Sequence, residues 1–526
     1  MGRRFTSLPS SRVYSRSWGL PLNEITLGQL GSILPEIILM LGGLLIIVLD
    51  TFLGNEDDSG SGFMAMTVVF LILGLVGSLL QFGLDDVNVM PLVTVDKFAV
   101  FMKITVIAGM ILVAVAGGSF MNKRVAGRGE FWSLFLFVTL AMSVAVSANN
   151  LLLIFLAIEF MSITSYLLVG FLRESRRSTE AGVKYFLYGS VASSIMLYGM
   201  SFLYGASGSL YLPDIAAAFV ASPHLTSIVM PATVMILVGL GFKTSLAPFH
   251  QWTPDVYEGA ATPITAYLST ASKTAAFAVM VRLFVTGLAG FEIDWVPVLI
   301  GLSVITMTVG NLVAMKQTSV KRMLAYSSIA QAGYMLMGLA SVVTVQQGDV
   351  ATLGMNGLNG LMIYLFAYLF TNIGAFLVVM AVEETEGTSD VSAFNGLGKR
   401  SPWLAWTMFV FLLSLTGIPL TGGFVGKFYV FGAAIQHRYF YLVLVAAINA
   451  GIGAYYYLNV VRAMFFPTTG ESAEAVEYKP LPMRTPMAVQ IVLVVCLLGT
   501  VWLGLYPTHV IDWANSASQQ LLTFIY

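Results

Sequence analysis

Cysteine, histidine and charge are what this sequence has least of. The 526-residue chain holds one cysteine, Cys496, and four histidines. An internal disulfide framework is excluded, and neither a tetrahedral zinc site nor an iron–sulfur cluster is expected. Asp, Glu, Lys and Arg together make up 10% of residues, against roughly 25% in soluble domains. That is too little charge to cover a water-facing surface. The net charge is −1, from 26 basic and 27 acidic residues, which argues against nucleic acid as a partner. Neither G-x-x-x-x-G-K-[ST] nor a strand-linked G-x-G-x-x-G occurs, so neither ATP nor a dinucleotide is expected to bind by a familiar motif.

What is present is apolar. Hydrophobic residues are 57% of the chain. A membrane-spanning helix needs about 20 predominantly apolar residues, and fourteen such runs can be read, near 28–53, 63–84, 98–118, 130–148, 150–172, 181–206, 227–249, 263–288, 295–315, 321–343, 352–382, 403–435, 439–465 and 485–507. None alternates with the two-residue period of a transmembrane barrel. The expected class is therefore an all-α polytopic membrane protein with about 14 transmembrane helices. No connection is long enough for a separate domain. The organisation expected is a polar leader (1–24), one transmembrane domain (25–510) and a C-terminal tail (511–526).

Loop charge sets an orientation. Thirteen basic residues, among them Lys123, Arg124, Arg173, Arg176, Lys316, Lys321, Arg322, Lys399 and Arg400, fall in loops on one side; Lys97 and Arg438 fall on the other. The bias places loops after even-numbered spans, and both termini, on the non-cytoplasmic face. Arg3, Arg4, Arg12 and Arg16 break the pattern. Their Ser-rich, acid-poor context resembles an organellar transit peptide; a plain polar tail or a misassigned start codon is the simpler reading.

Two spans are interrupted. The seventh runs into Gly241-Phe242-Lys243-Thr244-Ser245-Leu246-Ala247-Pro248, and the twelfth holds Thr416-Gly417-Ile418-Pro419-Leu420-Thr421-Gly422-Gly423. Each is the fourth of a five-span block. Matched Gly/Pro breaks point to an ion site in a protein of two inverted repeats, here about 130–288 and 295–465.

Seven basic residues remain inside the apolar runs: Lys103, Lys184, Lys243, Lys273, Arg282, Lys427 and Arg462. Arg282, Arg462 and Lys103 lie toward run ends, where long side chains snorkel to the interface. Lys184, close to a run boundary, reads either way. Lys243, Lys273 and Lys427 do not, and a buried ammonium costs several kcal/mol unless partnered. Only Glu36 and Glu159 are acids well inside apolar runs. Burial favours the neutral forms of both residue types, so one glutamate and several lysines make a workable proton relay. Static interhelical ion pairs are the plainer alternative. His250, in Pro248-Phe249-His250-Gln251-Trp252, would extend a relay or serve as a structural hydrogen-bonding residue.

The run from Gly241 through Pro248-Phe249-His250-Gln251-Trp252-Thr253-Pro254-Asp255 to Gly259 resembles the antiporter-like membrane subunits of respiratory complex I. So does Lys321-Arg322-Met323-Leu324-Ala325-Tyr326-Ser327-Ser328 to Tyr334. With Leu34-Pro35-Glu36 and Gly422-Gly423-Phe424-Val425-Gly426-Lys427-Phe428, the pattern is most similar to the N-type subunit of NADH-quinone oxidoreductase, over roughly residues 25–510. Lys427, where the M-type carries glutamate, and the lack of a long lateral helix after residue 507 separate it from the M and L types.

That resemblance implies a proton-translocating role in which Glu159, Lys184, Lys243, Lys273 and Lys427 match the family's helix 5, 6, 7, 8 and 12 residues. It implies no cofactor in this chain, with NADH, FMN, iron–sulfur clusters and quinone handled by partner subunits of the membrane and peripheral arms. The location implied is a bacterial inner membrane, or an organellar one if the leader is a transit peptide. A subunit of a multisubunit cation/proton antiporter is the competing expectation.

Overall fold

The computed structural model describes residues 27–53, 59–83, 87–89, 92–125, 128–221, 226–342, 355–466 and 485–523. The arginine-rich leader lies outside the described residues. The helices are α1 (Leu27–Ser32), α2 (Leu34–Leu53), α3 (Ser59–Leu80), α4 (Lys97–Asn122), α5 (Arg128–Ser147), α6 (Leu151–Val169) and α7 (Arg176–Ser207). They continue as α8 (Leu212–Ala221), α9 (Thr226–Thr244), α10 (Trp252–Gly259), α11 (Thr262–Ser269), α12 (Ala271–Val281), α13 (Glu292–Ala314) and α14 (Val320–Ala340). The rest are α15 (Gly357–Glu386), α16 (Leu397–Arg400), α17 (Pro402–Thr416), α18 (Gly422–Gln436), α19 (Phe440–Phe465), α20 (Met487–Leu505) and α21 (Thr508–Thr523).

Among the described residues, twelve helical stretches are long and apolar enough to cross a membrane. The other two apolar runs correspond to α14 and to the α17–α18 pair, which are helical but more polar or divided. Polar side chains set several starts: Asp96 accepts from the Ala99 amide at 2.8 Å, Asn150 from Leu152 at 3.0 Å, and Asn356 closes a capping box with Asn359 at the head of α15.

Burial follows position in the bundle. Every residue of α11 and α12 is buried, and most of α15. α11 and α12 are rich in Ala, Ser and Thr, which let neighbouring backbones approach closely. By contrast α2, α3, α7, α19 and α20 expose stripes of Leu, Val, Phe and Tyr, as lipid contact requires.

Both predicted interruptions are present. The seventh span divides into α9 and α10, and the twelfth into α17 and α18. A third break, not expected from the sequence, divides the eighth span at Thr270 (φ −122°, ψ −79°), and a six-residue π-helical turn, Arg282–Gly287, follows α12.

Three further elements join the spans. Val87–Val89 pairs antiparallel with Val93–Val95 in a small hairpin (β1, β2). Bridges from Val93 to Ala148 and from Asn150 to Tyr211 tie the hairpin to the α5–α6 and α7–α8 junctions. Among the described residues, most of the segment expected as a C-terminal tail is helical, within α21. Lys97 at the head of α4 donates its amide to Gln520 (2.9 Å) and its ammonium to Ser516 (3.1 Å), while Trp513 packs against Phe101, ring centroids 4.6 Å apart.

Candidate functional site

The break in the seventh span builds the first station. α9 ends at Thr244; Ser245 takes a positive φ of 65°, and the chain turns back so that the Trp252 indole donates to the Phe242 carbonyl at 2.8 Å. Ala247 donates to Thr306 Oγ1 at 3.0 Å. These bonds satisfy backbone groups that a proline-broken helix frees within the bilayer.

Lys243, in the last turn of α9, is buried and donates to Ser162 Oγ and Tyr185 OH, both at 3.1 Å. Glu159 stands three residues before Ser162 on α6 and so shares its face. It lies within electrostatic reach of Lys243, yet no ion pair joins them, and its Oε1 is buried without a hydrogen-bond partner. Trp252 stacks on Tyr185 (ring centroids 4.3 Å, 12° between planes) and so fixes the hydroxyl that holds the lysine.

Lys273 occupies the first turn of α12, just past the Thr270 break. It is buried and donates to the Ser328 carbonyl (2.8 Å) and hydroxyl. One turn along α6 from Ser162, Ser165 hydrogen-bonds Tyr267 on α11.

Lys427 sits at the twelfth-span break. Gly417 (φ 92°) ends α17, and Lys427 donates to the carbonyls of Leu415 (2.8 Å) and Thr416 (2.9 Å), the negative end of that helix. The approach is tight. A Cβ on Gly417 would stand 2.8 Å from Lys427 Cδ, and one on Gly423 would meet the Ser414 carbonyl oxygen at 2.0 Å.

A polar line runs from the Lys427 seat to Ser327, the chain neighbour of the residue that holds Lys273. Ser327, next to Ser328, hydrogen-bonds Tyr457; Gln331 Nε2 donates to Tyr457 OH (3.2 Å) and to the Leu415 carbonyl (2.9 Å); Tyr364 donates to Gln331 Oε1. Lys243, Lys273 and Lys427 thus stand at three helix breaks, Lys243 and Lys427 at C-terminal helix ends and Lys273 in a first turn.

Lys184 and His250 fall elsewhere. Lys184 is half-exposed and pairs with Glu180 and Asp255, both at 2.9 Å. Arg322 binds Asp255 (2.8 Å) and Glu258 (2.7 Å), so Lys184 belongs to a charge cluster tying α7, α10 and α14 together. His250 makes no ion pair or hydrogen bond to the lysines, and its Nδ1 is buried without a partner.

Three readings from the sequence are corrected. Arg282 does not snorkel: it is 2% exposed and grips Asp96 through both terminal nitrogens at 2.6 Å. Lys103 is wholly buried and pairs with Glu36 at 2.7 Å. Lys321, counted as a loop residue, is buried and donates to the Ala260 carbonyl at 2.8 Å, with Glu383 at 3.6 Å.

Comparison with known proteins agrees with this architecture. The family model for the NADH:quinone oxidoreductase/Mrp antiporter transmembrane domain matches residues 148–453. NADH-quinone oxidoreductase subunit N of Desulforamulus reducens is 37% identical over 487 residues, covering 93% of this chain and 98% of the relative. A chain of respiratory complex I from Thermus thermophilus superposes with TM-score 0.75 at 30% identity, covering 92% of this chain and all of that one. A chain of the Mrp complex from a Dietzia species gives TM-score 0.82 at 20% identity over 94% of this chain and 99% of that chain, a likeness of fold alone. By sequence and by structure, the chain belongs to the subunit N family of NADH-quinone oxidoreductases.

Proposed function

We propose that this chain translocates protons as part of the membrane arm of an NADH-type quinone oxidoreductase in a bacterial inner membrane. Proton movement would run through Glu159, Lys243, Lys273 and Lys427, driven by quinone reduction in other subunits. NADH, FMN, iron–sulfur clusters and quinone belong to those partners in this reading.

The observation that carries it is the setting of the three lysines. Each is buried at a helix break, held by hydroxyls and carbonyls rather than by a carboxylate. An ammonium without a fixed counter-ion is costly in the bilayer, whereas a lysine that exchanges its proton with hydroxyl neighbours need not stay charged. Glu159, with a free carboxylate oxygen beside Lys243, supplies the alternating partner. When Lys243 reaches Glu159 the pair holds the proton; when it returns to Ser162 and Tyr185 the proton is free to move toward Ser165, Tyr267 and Lys273. The ion cluster of Lys184, Asp255, Glu258 and Arg322 braces α10 against α7 and α14 on the side of the arginine-rich loops, where protons would enter.

The competing reading, a subunit of a cation/proton antiporter, is supported by the likeness of fold to the Mrp chain; the relatives of highest identity favour the oxidoreductase. Purification with native neighbours separates the two. Copurification with flavin- and iron–sulfur-bearing subunits is the expected result, and isolation with antiporter subunits alone would overturn it.

A further inference from the structure

The relay described above leaves the Glu36–Lys103 pair unused, and that pair has the makings of a site. Lys103 Nζ lies 2.7 Å from Glu36 Oε1 and 3.4 Å from Gln81 Oε1, and Ser143 Oγ donates to the same Glu36 oxygen at 2.7 Å. Four elements converge here: α2, the turn after α3, α4 and α5. The second Glu36 oxygen is buried and has no partner.

The polar groups do not stop at the pair. Ser147, one turn beyond Ser143 on the same face of α5, is wholly buried with an unpartnered hydroxyl. Asn149 follows just past the helix end; its amide nitrogen donates to Thr94 of the β2 strand at 2.9 Å, and its carbonyl oxygen is again buried and unpartnered. Buried polar atoms are ordinarily satisfied. Here three orphaned oxygens follow one line from a carboxylate to the hairpin end of the molecule. A static ion pair that merely fastened α2 to α4 would require neither Ser147 nor Asn149.

We propose that Glu36 and Lys103 form a second proton-binding site, separate from the Glu159–Lys243–Lys273–Lys427 series, with Ser143, Ser147 and Asn149 as its outlet toward the hairpin. Protons exchange between the Glu36 carboxylate and the Lys103 amine, and pass along the hydroxyl and amide oxygens. The charged groups at the head of α4 take no part, because Asp96 is engaged by Arg282 through two hydrogen bonds and the Lys97 ammonium by Ser516.

The test uses the intact complex, purified with its native neighbours and reconstituted in liposomes, with protons as the probe. Infrared difference spectra between acidic and alkaline buffer should show a protonated-carboxyl carbonyl band that is lost in Glu36→Gln; a spectrum unchanged by that substitution overturns the site. Ser147→Ala should slow formation of the pH gradient at unchanged subunit content; wild-type gradient formation overturns the outlet. Should Glu36→Gln not assemble, the double variant Glu36→Gln/Lys103→Met, which removes both charges together, is read in the same way. Lys243→Ala in parallel reports on the main series: normal pumping there alongside loss of the Glu36 band would refute that relay and leave this site standing.

Discussion

The indole of Trp252 lies flat against the ring of Tyr185, 4.3 Å between centroids, and the Tyr185 hydroxyl accepts a hydrogen bond from Lys243 at 3.1 Å. A residue from the far side of the seventh-span break therefore controls the seating of a lysine from the near side.

Removing that hydroxyl with Tyr185→Phe, or the platform with Trp252→Leu, should slow proton pumping in reconstituted complexes while the subunit still assembles. The lost hydrogen bond is worth only about 1 kcal/mol, so thermal stability should change little with Tyr185→Phe. Equal pumping in both variants and wild type would show that Lys243 needs no such positioning.

Lys243→Ala and Glu159→Ala should each abolish coupled proton translocation without preventing assembly. Gradient formation per quinone reduced is the measurement. Normal pumping in both variants would defeat the relay.

The Asp96–Arg282 pair should behave as structure. Replacing either partner alone leaves a buried charge without its counter-ion, at a cost of about 3–5 kcal/mol. Asp96→Asn or Arg282→Leu should lower the amount of assembled, heat-resistant complex in detergent, and the double substitution should recover much of the loss. A double variant as unstable as either single one would contradict this assignment.

Gly417→Ala should disable the second half of the molecule. The added methyl would press on Lys427 Cδ at 2.8 Å, at a backbone φ of 92° that non-glycine residues rarely adopt. Pumping should fall further than assembly does, as judged by activity per assembled complex. A variant that pumps normally would mean that Lys427 does not need its carbonyl seat.

Much of this was legible in advance. Apolar runs mark the spans because the bilayer sets their length, and Gly/Pro clusters mark two breaks because both residues interrupt a helix. Lys243, Lys273 and Lys427 stood out because ammonium groups are rare at such positions. The partners were hidden: Asp96 and Arg282 are 186 residues apart, and Ser327 and Tyr457 are 130 apart, far beyond any local pattern. Lys103 and Arg282 were misread because nearness to a run end was equated with access to solvent, while the hairpin and α21 sit against that end of the bundle. The Thr270 break lacked a Gly or Pro signal. α21 was missed because its apolar residues follow only one face.

The Leu415 carbonyl accepts from both Lys427 and Gln331. A single backbone oxygen is therefore a junction between the last lysine of the buried series and a side chain bonded in turn to Tyr457, which reaches Ser327. Whenever the Lys427 side chain swings away, Gln331 is left holding that oxygen alone, and its grip on the shared acceptor tightens. The position of Lys427 is in this way reported toward Tyr457 and Ser327 by the strength of one hydrogen bond.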